Sequence, residues 1–138
     1  DQPRSRGLGD VYKRQLREIS IPSTVKTVGI GAFENCTELK DISLPTTLTE
    51  INYYTFSGCT SLTTLTLHSK LTAINNYAFA GCKSLTEIHC KNSNPPLIGE
   101  NTFRDVNRIG CKIFVPSKRA KKSYSTALYW NEFTIYIE

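Results

Sequence analysis

Glu87 and His89 stand two apart in a segment that alternates apolar and polar residues, so both project from one side of a strand. A carboxylate beside an imidazole can orient a general base. Catalysis demands more geometry than one pair supplies, and no nucleophile or oxyanion device stands at fixed spacing to it. The pair reads as surface decoration, and no catalytic residue is assigned. Cys36, Cys59 and Cys82 recur at one constant interval. Stacked one rung apart, about 4.7–4.9 Å, their side chains would point the same way, which is poor disulfide geometry. No Cys-x-x-Cys pair exists and neither histidine lies at zinc-ligand spacing, so no metal or other cofactor is assigned. The column is expected to be small buried hydrophobes, and Cys90 a core strand residue. Cys111 stays open between a core and a partly exposed position, free or paired. Asn35-Cys36-Thr37 matches the N-glycosylation pattern, but with Cys36 buried, Asn35 reads as a turn residue. Lys118, Arg119, Lys121 and Lys122 form a basic run of the kind that binds nucleic acid or anionic lipid. No aromatic stripe accompanies it, so a solvated helix face is expected and no nucleic-acid partner is assigned.

The elements that position these residues are set by a repeat. Leu39-Lys-Asp-Ile42-Ser-Leu44 returns as Leu62-Thr-Thr-Leu65-Thr-Leu67, and again at the same interval as Leu85-Thr-Glu-Ile88-His-Cys90. Each block follows its own Phe and Cys: Phe33 and Cys36, Phe56 and Cys59, Phe79 and Cys82. A fixed period of this length means one structural unit stacked on itself. Alternation places Ile19, Ile42, Leu65 and Ile88 inward, with Ile21, Leu44, Leu67 and Cys90. Glu18, Asp41, Thr64 and Glu87 form one outward column, and Ser20, Ser43, Thr66 and His89 a second. Pro22 and Pro45 end their strands because they lack the N–H needed for further pairing.

A second extended piece is expected at 25–28, 48–51 and 71–74. It leads to the column Gly29, Asn52, Asn75 and Gly99, residue types that tolerate positive φ and predict a tight turn. A second such column is Asn35, Gly58, Gly81 and Asp105. Between the turns, a short helical turn drops Phe33, Phe56, Phe79 and Phe103 inward as a spine of stacked rings. The fourth copy arrives one residue late, with Phe103, Val106 and Ile109 in place of Phe, Cys and Leu. The extra residue is expected in the Asn94-Pro95-Pro96 turn. Beyond it, Ser117 can cap a helix over about 118–129 with Ala120, Tyr124, Ala127 and Leu128 on one face. Trp130 and Phe133 then cover the last rung.

The 138 residues make one domain's worth of chain with a formal net charge of +5. No stretch approaches ~18 consecutive apolar residues, so no membrane insertion is expected. Residues 4–15 lack apolar periodicity and resemble a translated sequencing-adapter tail. The expected organisation is a non-native or disordered leader over 1–15, repeats over 16–111 and a capping unit over 112–138, the whole a C-terminal piece of a longer solenoid.

The pattern resembles the BspA-type leucine-rich repeat, whose Leu-x-x-Ile-x-Leu-Pro block, spacer, Ile-Gly or Ile-Asn and Ala-Phe-x-x-Cys stand here as Leu39 to Pro45, Ile51-Asn52 and Thr55-Phe56-Ser57-Gly58-Cys59. The ending, Ile113-Phe114-Val115-Pro116 through Tyr124, Trp130 and Ile135-Tyr136-Ile137, is similar to that family's cap. Cys90, His68 and Lys91 depart from the pattern. The fold class is therefore an α/β repeat solenoid, mostly β: a leucine-rich-repeat stack of 23-residue units with a C-terminal helix–strand cap. The resemblance implies a non-catalytic, adhesion-type protein-interaction module of a bacterial cell-surface or secreted protein, binding a host or extracellular-matrix protein. The alternative is a structural spacer that displays a neighbouring domain. The candidate binding face is Glu18, Ser20, Asp41, Ser43, Thr64, Thr66, Glu87 and His89. Plain solvent exposure explains the same polar columns equally well, since hydroxyl-rich strands also serve solubility and β-propensity.

Overall fold

A computed structural model describes residues 13–138, so the leader expectation lies largely outside the described residues. The chain winds as a mostly β, parallel solenoid of about five turns. β1 (Glu18–Ser20), β2 (Asp41–Ser43), β4 (Thr64–Leu67) and β6 (Glu87–Cys90) are the Leu-x-x-Ile-x-Leu strands. β3 (Glu50–Ile51), β5 (Ala73–Ile74) and β7 (Leu97–Ile98) are the shorter second pieces, with their own parallel ladder. The register of one repeat period is explicit: Glu18 faces Asp41, Ser20 faces Ser43, Thr64 faces Glu87 and Thr66 faces His89. β8 (Lys112–Val115) and β9 (Thr134–Ile137) continue the β4–β6 sheet, so the cap extends the solenoid rather than merely covering it.

The core follows the predicted columns. Phe33, Phe56, Phe79 and Phe103 stack with centroids 5.6, 5.4 and 5.6 Å apart and rings within 13° of parallel. Trp130 and Phe133 close the spine on Phe103 at 5.8 and 5.7 Å. Backbone bonds tie the rungs beside the rings: Phe33 N donates to Thr55 O at 2.9 Å, Phe56 N to Ala78 O at 2.8 Å and Phe79 N to Thr102 O at 3.0 Å. Hydroxyls add further ties between rungs, as when Thr72 Oγ1 donates to Thr49 O at 3.0 Å.

Cys36, Cys59 and Cys82 are buried free thiols, and Cys59 and Cys82 each direct Sγ at the carbonyl of the Phe one rung back. Burial pushes the Cys82, Cys90 and Cys111 thiols up to about 12. Cys111, left open by the sequence, is a fully buried free thiol.

Four local expectations change. Asn35, Gly58, Gly81 and Asp105 do have positive φ, 63–78°. The column Gly29, Asn52, Asn75 and Gly99 does not. The second left-handed position lies two residues later, at Gly31, Tyr54 and Tyr77, with φ of 66°, 60° and 66°. The earlier column opens the turn instead, its carbonyls accepting from Ala32, Thr55, Ala78 and Thr102 N–H groups at 3.2–3.4 Å. At Gly99 an added Cβ would displace the Asn76 amide, whose Oδ1 accepts from Asn101 N at 3.0 Å. Secondly, the segment that lowers each Phe is a chain of hydrogen-bonded turns rather than a helix.

Thirdly, Ile109 does not replace the core Leu: it is 91% exposed, and Cys111 is buried instead. The register gains one more residue there than in the rung before, as Glu87 pairs with Lys112 whereas Ala73 pairs with Leu97. Asn107 Oδ1 takes Ile109 N and Gly110 N at 3.1 Å each, which folds the extra residue outward. Finally, the cap helix runs Lys118–Thr126, its N-terminus capped by Ser117 Oγ accepting from Ala120 N at 3.1 Å. It stops at Ala127, whose backbone is extended, so Leu128 never joins the apolar face and is 68% exposed. Trp130 takes that role from a 3-10 turn (Trp130–Glu132), its Nε1 donating to Pro96 O at 2.8 Å.

Candidate functional site

Strand alternation builds the site. With Ile19, Ile42, Leu65 and Ile88 turned to the core, residues one before and one after must face solvent. All eight predicted residues lie there: Glu18, Ser20, Asp41, Ser43, Thr64 and Thr66 exposed, Glu87 and His89 half-buried. Glu18, Ser20, Asp41 and Ser43, with the edges of Ile19 and Ile42, line an open groove of about 420 Å³. Hydroxyls occupy the middle of the face, at Ser43, Thr64 and Thr66.

The far end is richer than its sequence columns suggested. His89 Nε2 lies 2.9 Å from Glu87 Oε1, and its Nδ1 lies 3.0 Å from Glu138 Oε2. A neutral imidazole has one N–H, so both carboxylates are served only when the ring carries two protons. Lys91 Nζ approaches the same Glu138 carboxylate at 3.4 Å. The hydrogen bond from His89, with the charges of His89 and Lys91, holds the Glu138 carboxyl below its ordinary value. His89 stacks on Phe114 at 4.8 Å, and Phe114 packs on Tyr136 at 5.7 Å. Lys112 Nζ sits 5.7 Å from the Tyr136 centroid.

Lys112, Phe114, Tyr136 and Glu138 therefore complete the face and were missed from sequence. A signal existed for the first two: Lys112-Ile113-Phe114-Val115 alternates as Glu87-Ile88-His89-Cys90 does. Glu138 had none, because it reaches His89 only through the β8–β9 pairing across 49 residues.

Thr66 is the hydroxyl in register with His89, whose two ring nitrogens both lie within hydrogen-bonding distance of carboxylates. Among the described residues, no three His, Cys, Asp or Glu side chains converge to hold a metal ion. Nor is any helix there long and apolar enough to cross a membrane. The face thus carries exposed hydroxyls, aromatic edges and charges of both signs on one side of the sheet.

Comparison with known proteins agrees with this architecture. The model of the BspA type leucine rich repeat region matches residues 11–130 in six copies. A leucine rich cell surface protein from Faecalibacterium prausnitzii A2-165 superposes with a TM-score of 0.65 at 29% identity, over 86% of this chain and 29% of that one. A leucine-rich repeat protein from Bacteroides ovatus ATCC 8483 is similar over 90% of this chain and 52% of its own, at 18% identity and a TM-score of 0.41. The chain thus spans less than a third of the F. prausnitzii protein. No curated protein matches the sequence.

Proposed function

The chain belongs to the BspA-type leucine-rich repeat family, and from that premise we propose that it is a non-catalytic, adhesion-type interaction module of a bacterial cell-surface or secreted protein. Repeat families of this kind generally bind other proteins and carry no catalytic site. The observation that carries the proposal is the outward strand face. It runs over β1, β2, β4, β6, β8 and β9, and the fold leaves its side-chain types unconstrained while fixing their positions. The F. prausnitzii protein, described as a cell surface protein, supports the location. A partner would meet the acidic groove of Glu18, Ser20, Asp41 and Ser43 at one end and the His89–Phe114–Tyr136 stack at the other, with the hydroxyls of Thr64 and Thr66 between.

The test is surface plasmon resonance of the purified chain over immobilised extracellular-matrix glycoproteins and collagens. Saturable binding to at least one, at micromolar concentration or below, is the expected result. Flat responses across the set would overturn the adhesion reading. They would favour the second one, a spacer, which rests on the chain spanning only 29% of the F. prausnitzii protein.

A further inference from the structure

The net charge of this chain resides in one turn and a half of helix. Without Lys118, Arg119, Lys121 and Lys122, the chain has 13 Lys and Arg against 12 Asp and Glu. All four are exposed, and none pairs with a carboxylate among the described residues, whereas Arg17, Lys91 and Arg108 each do. At about 100° per residue, the spacing i, i+1, i+3, i+4 gathers them on an arc of about 160°. Ala120 and Tyr124 hold the opposite side, fully buried. Tyr124 Oη donates to Asn92 O at 2.7 Å and its ring meets Trp130 edge-on at 5.2 Å. The cationic arc is thus mounted on a firmly packed part of the cap.

Helix stability does not account for this choice of residues. The cations occupy the first turns, where the helix dipole disfavours positive charge, and no acidic residue offsets them there. Like charges three and four apart repel as well. Solubility would be served equally by cations spread over the other rungs. An arriving anion relieves both repulsions at once.

The chemistry of the arc narrows the ligand. It carries no aromatic ring on which a nucleobase could stack. It carries no apolar side chain to enter a bilayer, since the helix's apolar residues face the core and Leu128 lies beyond the break at Ala127. What fits is a chain of anionic groups read by charge and hydrogen bonding, with Ser125 exposed on the following turn. We propose that the exposed arc of the cap helix, Lys118, Arg119, Lys121 and Lys122, is a binding site for a sulfated polysaccharide. The choice of a sulfated glycan as the source of the anions rests on the cell-surface reading above; the site itself rests on the charge arrangement.

The experiment uses the whole chain and heparin as the probe. Heparin should bind, with affinity falling steeply as salt rises, and fully desulfated heparin should bind at least tenfold more weakly. Replacing Lys118→Gln, Arg119→Gln, Lys121→Gln and Lys122→Gln together should reduce affinity at least tenfold. Removing the same charge elsewhere, with Lys26→Gln, Lys40→Gln, Lys70→Gln and Lys83→Gln, should leave it within twofold. Equal losses from the two sets would overturn the site, as would no heparin binding by the unaltered chain. Equally tight binding to phosphatidylglycerol vesicles or to duplex DNA would overturn the sulfated-glycan assignment in favour of a membrane or a nucleic acid. Matrix-protein binding by the four-Gln cap variant separates the two proposals: the strand face is intact in it, so its loss of heparin says nothing against that face.

Discussion

Phe56→Ala tests the physical basis of the stack. Phe56 is fully buried between Phe33 at 5.6 Å and Phe79 at 5.4 Å, nearly parallel to both. A Phe buries ~150–250 Å², which at about 25 cal/mol per Å² corresponds to ~4–6 kcal/mol. Alanine retains the Cβ share, and buried Phe→Ala changes lose ~3–5 kcal/mol. The upper half of that range is expected here. The hole cannot close by sliding rungs together, because Phe33 N–Thr55 O and Phe56 N–Ala78 O bonds, at 2.9 and 2.8 Å, fix the rung spacing beside it. Phe33→Ala should be milder, since that ring is 6% exposed and has one stacked neighbour among the described residues. The assay is urea unfolding followed by far-ultraviolet circular dichroism and by fluorescence of the buried Trp130. The two probes should coincide, with the midpoint lowered and the slope unchanged. A loss below ~1 kcal/mol, outside the range for a buried ring, or equal losses at Phe33 and Phe56, would refute the continuous spine.

Two further outcomes follow from the titrating groups. At pH 8 the native chain should react with a water-soluble disulfide reagent slowly and at less than one thiol per chain, and with all five thiols once unfolded in urea. Burial keeps Cys82, Cys90 and Cys111 protonated there; rapid reaction of two or more in the native state would contradict their packing. The Glu138 carboxyl is held low by His89 and Lys91, so its attachment to β6 is fully present above the ordinary carboxylate range and is lost as pH falls through the depressed value. The protection of Glu138 N, bonded to Val115 O at 2.9 Å, against amide exchange, taken relative to the intrinsic rate at each pH, should fall over that acid range. In His89→Ala the Glu138 titration should rise toward the ordinary value, and an unmoved titration would argue against the bridge.

What the sequence revealed, and what it hid, divides along physical lines. A residue whose role depends on its own rung was legible, because the period repeats its environment. Phe56, Cys59 and Asn35 could be placed in this way, as could the outward Asp41 and Thr66. Residues whose role depends on how rungs meet were not. Tyr54 and Tyr77 adopt positive φ, a conformation unusual for bulky residues, and their rings stack at 5.0 Å with 2° between planes. Nothing in their residue type announces this, whereas Asn52 and Asn75 look like left-handed residues and act through their carbonyls. Ile109 and Leu128 looked like core because periodicity was extended across a place where the chain gains residues or breaks its helix. The His89–Glu138 contact needed the β8–β9 pairing to be known first. The outward strand face was therefore visible in its first two-thirds and hidden at its aromatic, charged end.

The central claim is that the outward strand face is the part of this chain that meets a partner. Asp41→Lys with Thr64→Lys changes that face at two exposed positions, while Ile30→Lys, 67% exposed, alters a surface off the strand columns. The decisive measurement is the affinity of each variant for whichever matrix protein the unaltered chain binds, alongside circular dichroism to show that the fold is kept. The face variant should bind at least tenfold more weakly and Ile30→Lys within twofold of the parent. Unchanged binding by the face variant, or equal losses in both, would contradict the account.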